Sequence, residues 1–226
     1  MFVLALTLTL AAQSSEEIAG RRVFHDPGLG KNGVACSDCH ATVKDEEKEG
    51  DGRLRAGFSL WGVAKRKFWR ADVNRTAHPT LSDAVDVCVQ IFQGGQPLEG
   101  KKRTDLAAYL KAISPGTAAQ PSPKIEPALV ADLDYSRSEY RGGDADRGRE
   151  LFYAACHGCH PHGNVGLGPA IAGKNFAEVA KKVREGNGLL RGNRRGSEWS
   201  PAYGNNRLTS PQVADIAAFI ETLNSR

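Results

Sequence analysis

The sequence predicts an all-α protein built from two small helical domains, and three observations carry that expectation. The pentapeptide Cys36-Ser37-Asp38-Cys39-His40 recurs as Cys156-His157-Gly158-Cys159-His160. Gly20 and Phe24, four apart ahead of the first copy, recur as Gly148 and Phe152 ahead of the second. Each half then closes on an apolar-periodic stretch, Thr104-Asp105-Leu106-Ala107-Ala108-Tyr109-Leu110 and Ala214-Asp215-Ile216-Ala217-Ala218-Phe219-Ile220. A spacing of four puts both members of a pair on one helix face. Each half therefore reads as an N-terminal helix, a Cys/His motif and a C-terminal helix, which makes the chain an internal repeat.

The motif has a chemical reading. In C-x-x-C-H, two thiols three residues apart reach the two vinyl groups on one edge of a haem, and the histidine that follows binds the iron from below. A bare C-x-x-C also suits a redox dithiol or half a zinc site. Two copies, each followed by histidine in similar surroundings, favour haem. The expected cofactors are two covalent haem c groups, one on Cys36 and Cys39 with His40 on its iron, the other on Cys156 and Cys159 with His160. A domain of about 100 residues buries little apolar surface alone, and a large flat cofactor at its centre supplies the missing core.

The 226 residues divide by composition. Residues 1–12 form an apolar run too short to cross a bilayer, followed by polar residues, and are expected to be a signal peptide. They lack the usual basic start, so the run is also compatible with a retained membrane-associated stub. No other stretch is apolar enough to span a membrane. Residues 18–114 are the first domain. Residues 115–143 carry Pro115, Gly116, Pro121, Pro123 and Pro127 without a helical period and read as a linker; residues 144–226 are the second domain. Four of the five cysteines belong to the motifs, which leaves no disulfide framework. The mild basicity, net +4 with a pI near 8.8, comes without the dense basic tracts of nucleic-acid binders, and nucleic acid is excluded as a partner.

Both halves resemble the class I cytochrome c domain, in which a helix bearing glycine and an aromatic crosses a C-terminal helix bearing another aromatic. The resemblance implies an exported, periplasmic protein that exchanges single electrons with redox partners such as other cytochromes, a dehydrogenase or an oxidase. In the second half it extends through Gly166-Leu167-Gly168-Pro169-Ala170-Ile171-Ala172-Gly173, where the family's proline carbonyl orients the proximal histidine. The first half is looser, with an extra loop over residues 25–33 and a charged insertion over 44–52, read as solvated.

The sixth iron ligands separate electron carriage from catalysis. Met1 is the only methionine, so His/Met ligation is excluded in both halves. For the first haem the candidate is Cys88, on a helix over 81–92 capped by Thr80 and stopped by Gly94-Gly95, with Leu81, Val85, Cys88, Ile91 and Phe92 on one face. The stretch 80–113 resembles the haem subunit of the thiosulfate-oxidising complex and the dihaem thiosulfate dehydrogenases, where such a cysteine ligates the active-site haem. That resemblance implies a catalytic Cys88 and a small inorganic anion as substrate. Cys88 as an ordinary buried apolar residue and His78 or His25 as the ligand remain alternatives. For the second haem, Ser200 occupies the methionine's place in Glu198-Trp199-Ser200-Pro201-Ala202-Tyr203-Gly204, which leaves an open site, a water or Tyr203. His162 falls on the wrong side of the ring. Arg191-Gly192-Asn193-Arg194-Arg195-Gly196 is a basic patch for a partner or small anions, and Trp61, Trp69, Lys65, Arg66, Lys67 and Arg70 are expected along the first haem's propionate edge.

Function is thus expected to be single-electron transfer, coupled to thiosulfate-type oxidation at a His40/Cys88 haem. Two other readings remain: a small-ligand-binding or sensing cytochrome using an open second haem, and a dihaem peroxidase, whose segment before the first motif residues 24–33 resemble.

Overall fold

Two helix pairs, each pinned by a glycine, organise the structure. In this computed structural model the described residues are 13–44, 51–67, 69–71, 76–116, 134–186 and 201–223. The expected signal peptide, most of the expected linker and the basic patch at 191–196 lie outside them.

Helix α1 (Ser15–Phe24) starts at a capping box between Ser14 and Glu17, which satisfies two of its free amides. It crosses α4 (Gly100–Ala112) at Gly20, where an added Cβ would collide with the Asp105 carbonyl. Phe24 and Tyr109 meet beside this crossing with ring centroids 5.6 Å apart. Helices α5 (Ala145–Ala155) and α7 (Ser210–Thr222) repeat the arrangement, with Gly148 against the Asp215 carbonyl and Phe152 against Phe219 at 5.2 Å. Glycine is required at both crossings because the backbones touch. Each crossing buries an aspartate at the carbonyl-donating position, and each aspartate is paired: Asp105 with Lys101 at 2.7 Å, and Asp215 with Arg147 at 3.0 Å and with the Asp144 amide at 2.7 Å. Unpaired, such buried charges would oppose folding.

Between the pairs lie the short helix α2 (Cys36–Cys39), α3 (Leu81–Val87) and α6 (Phe176–Glu185). The all-α expectation holds, with one addition. Strands β1 (Trp69–Ala71) and β2 (Thr76–His78) pair antiparallel as a two-stranded ribbon, Trp69 opposite His78. Pro79 follows directly and disfavours helix in the residue before it.

The cores form two hydrophobic clusters. The first gathers Phe24, Val63, Val89, Leu106, Tyr109 and Leu110; the second gathers Tyr140, Phe152, Leu208, Val213, Ile216 and Ile220. Two features cut across the expected segmentation. Tyr135 and Tyr140, inside the stretch read as linker, are buried in the second cluster. Leu54 and Ala56, which belong to the first half by sequence, pack against the second cluster.

Candidate haem-attachment sites

The two histidines that end the motifs are held alike. Nδ1 of His160 lies 2.7 Å from the Pro169 carbonyl oxygen, and Nδ1 of His40 lies 2.7 Å from that of Phe58. A carbonyl only accepts, so the proton sits on Nδ1 in both rings and the Nε2 lone pair is left for a metal. A glycine precedes each carbonyl donor, and a Cβ on Gly57 or Gly168 would strike the imidazole. The Pro169 contact agrees with the sequence expectation. The Phe58 contact escaped it, because the charged insertion moves this carbonyl from nine residues after the histidine to eighteen. A Gly-Phe pair after the insertion, matching Gly168-Pro169, is the signal that could have revealed it.

Among the described residues the four motif cysteines and Cys88 form no disulfide, and all five are half-buried. Burial pushes the Cys36 thiol up to about 11 and the Cys156 thiol to about 12, and raises Cys39 further, with Cys88 the next contributor there. Among the described residues no cluster of three or more metal-ligating side chains exists. Two thiol pairs, each followed by an imidazole whose Nδ1 is held on a backbone carbonyl, fit covalent haem at both motifs.

Helix α3 starts where Thr80 accepts from the Asp83 amide, as expected, but it does not end as an α-helix. From Cys88 to Phe92 the backbone widens into a π-helical turn, closed by the Gln93 amide on the Cys88 carbonyl at 3.3 Å. Such turns add a residue to the helical register and concentrate at functional sites. Here the widening sends Val89 into the protein core, fully buried, and leaves Cys88 half-buried beside Cys39. The loop over 25–33, an extra loop relative to the second half, caps this turn. The Lys31 amide donates to the Gln93 carbonyl at 2.9 Å, and Asn32 donates to the Phe92 carbonyl at 2.6 Å. Gln93 in turn reaches the Cys36 sulfur at 3.6 Å.

Of the rival ligands, His78 lies on β2 beside α3, its Nε2 buried without a hydrogen-bond partner among the described residues. His25 sets its ring edge-on to Phe24. The buried Tyr203 hydroxyl donates toward the carbonyls of Leu54 and Ala155 at 3.3 and 3.1 Å. His162, with φ of 52°, stacks on the surface with Tyr153 and His157. Trp69 packs inward, donating to the Val63 carbonyl at 3.0 Å, whereas Trp61 is exposed. Ser200 lies outside the described residues.

Sequence comparison agrees with this geometry in the second half. Residues 143–220 match the family model described as cytochrome c oxidase, cbb3-type, subunit III. Over those residues the chain is similar to a cytochrome c family domain. That family carries covalent haem c and serves in electron transfer, and Cys156, Cys159 and His160 fall within the matched residues. The match leaves the first motif outside its bounds. No curated protein matches the chain. Among solved structures, the chain is similar to thiosulfate dehydrogenase (TsdBA) from Marichromatium purpuratum in its as-isolated form, at 18% identity over 91% of this chain and 45% of that one, with a TM-score of 0.42. It is also similar to SoxXA from P. pantotrophus, at 16% identity over 92% of this chain and 74% of that one, with a TM-score of 0.32. The chain thus spans less than half the length of the first of these. No helix among the described residues is long and apolar enough to cross a membrane.

Proposed function

We propose that the protein is an exported dihaem c-type cytochrome that passes single electrons between redox partners. Its two domains, residues 18–114 and 144–226, each hold one haem c. The observation that carries this reading is the matched pair of imidazoles, each with Nδ1 at 2.7 Å from a backbone carbonyl behind a C-x-x-C pair. A bound haem supplies a one-electron iron couple. The protein attaches it through the thiols of Cys36, Cys39, Cys156 and Cys159 and orients His40 and His160. The experiment is an intact-mass measurement with a pyridine haemochrome assay on mature protein from a host competent in c-type maturation. Two porphyrins per chain are expected, and one or none overturns the reading.

The first haem is further proposed to be the site of thiosulfate-type oxidation, with Cys88 as its distal ligand. Support comes from the π-turn that leaves Cys88 half-buried by Cys39, and from the resemblance of residues 80–113 to thiosulfate-oxidising haem subunits. Thiolate ligation favours ferric iron and a low potential. Doubly loaded protein that thiosulfate, tetrathionate and sulfite all fail to reduce would remove this assignment.

One observation favours a second reading of the other haem. The Tyr203 hydroxyl donates toward two carbonyls, which favours an open iron that binds small gaseous ligands. Carbon monoxide added to the reduced protein separates the cases, since a prompt spectral change marks an open site.

A further inference from the structure

The stretch directly after the charged insertion touches both motifs at once. Arg53 Nη2 pairs with Asp38 of the first motif at 3.0 Å, and its guanidinium lies against Gly158 of the second, 3.3 Å from where a Cβ would stand. The Leu54 amide donates to the Ala154 carbonyl at 2.9 Å, at the end of α5 that leads into Cys156. The Leu54 carbonyl and that of Ala155 share the Tyr203 hydroxyl. Arg55 turns back to the first half, where Nε donates to the Ser37 carbonyl at 2.7 Å and the guanidinium pairs with Asp51 at 2.6 Å. Its own carbonyl accepts from Arg207 Nε at 2.8 Å. Two residues on, the Gly57 amide donates to the Cys39 carbonyl at 2.8 Å.

The side chains alternate as an extended segment requires. Arg53 and Arg55 grip the first motif, while Leu54 and Ala56 enter the second core. Arg55, Tyr203 and Arg207 are all at least nine-tenths buried, so these are interior bonds with little competition from water. Through the Ala155 carbonyl, Tyr203 also holds the end of α5 next to Cys156.

We propose that residues 53–56 are a strap that fuses the two haem-attachment motifs into one electron path, with Arg53, Tyr203 and Arg207 as its positioning residues. The proposal rests on the dihaem reading and deepens it. With haem bound at both motifs, His40 and His160 would hold the two irons, and the single electron lost by the first on oxidation would be the one gained by the second on reduction. No proton moves, and Tyr203 stays a neutral phenol throughout, because burial raises it well above its ordinary range. The strap fixes the separation and orientation of the two groups, on which the crossing rate depends.

The test uses the full-length protein with haem counted first; a wild type lacking two haems defeats the dihaem reading and is thereby told apart from failure of the strap. Tyr203→Phe keeps the ring and removes the hydroxyl, and Arg53→Gln removes the charge facing Asp38. Two readouts are taken: the Soret circular-dichroism couplet of the oxidised protein, which reports the mutual orientation of the haems, and inter-haem equilibration after pulse radiolysis. In both variants the couplet is expected to shrink and equilibration to slow several-fold, with each haem's own midpoint potential and absorption spectrum unchanged. Arg53→Lys, which restores the positive charge, is expected to recover most of the rate. Should Tyr203→Phe lose haem, Arg53→Gln carries the test, since Arg53 is partly exposed and anchors neither core. Variants with both haems and a wild-type couplet and rate overturn the proposal.

Discussion

Gly148 of α5 lies so close to Asp215 of α7 that a single methyl on it would overlap the aspartate carbonyl. Gly148→Ala must therefore separate the two helices that enclose Phe152 and Phe219. A loss of about 1–3 kcal/mol is expected, as for other overpacked contacts, measured by denaturant unfolding of the haem-loaded protein. Gly142→Ala serves as the comparison for substitution of a glycine in open surroundings, where nothing lies within contact distance but φ is positive.

Arg184 is fully buried on α6 and donates to the carbonyls of Tyr203 and Leu208 at 3.0 and 2.6 Å and to Asn205 at 3.0 Å. Lysine keeps the charge but not the planar fork that spans these acceptors. Arg184→Lys is expected to leave at least one carbonyl unsatisfied and to cost about 1–3 kcal/mol. The midpoint of thermal unfolding checks it.

Asp51 is held below its ordinary value first by its hydrogen bond to Arg55, with the Arg53 amide also contributing. A carboxylate depressed in the folded state stabilises fully above its unfolded pKa and ceases to do so as pH falls through the folded one. Asp51→Asn is therefore expected to be less stable than wild type at neutral pH, with the difference closing in acid below the model-peptide value of 3.8. Parallel urea titrations across this window read it. A difference that persists undiminished at the acid end would reject the assignment of the effect to ionisation.

Cys88→Ala separates the candidate ligands of the first iron. If the thiolate binds, the low-spin ferric electron paramagnetic resonance signal with its narrow spread of g values disappears and the potential of that haem rises. His78→Ala leaves the signal intact. The reverse pattern assigns the ligand to His78, whose buried Nε2 has no other partner among the described residues.

Much of the architecture was readable from residue spacing. Gly20 with Phe24 and Gly148 with Phe152 mark helix crossings because a crossing that tight admits only glycine, and the aromatic one turn later must fill the space beside it. Pro169 came from the resemblance of the second half to the class I cytochrome c domain, and it lies nine residues from its histidine. The strap was not readable. Arg53-Leu54-Arg55 alternates charge and apolarity, which next to an acidic insertion looks like a solvated edge. Its partners Tyr203 and Arg207 are about 150 residues away in sequence, and a long-range pairing of this kind leaves no local period. The π-turn at Cys88 was equally silent, because the sequence there is compatible with an ordinary α-helix. It is the cap supplied by Lys31 and Asn32 that the wider turn depends on.

The strap also bears on the order of biosynthesis. Once Leu54 and Ala56 are seated in the second core, the sulfurs of both pentapeptides lie half-covered at a shared seam. On the dihaem proposal, porphyrin would have to reach each pair of sulfurs before that seam closes, and docking of the two halves would then be the last step of maturation.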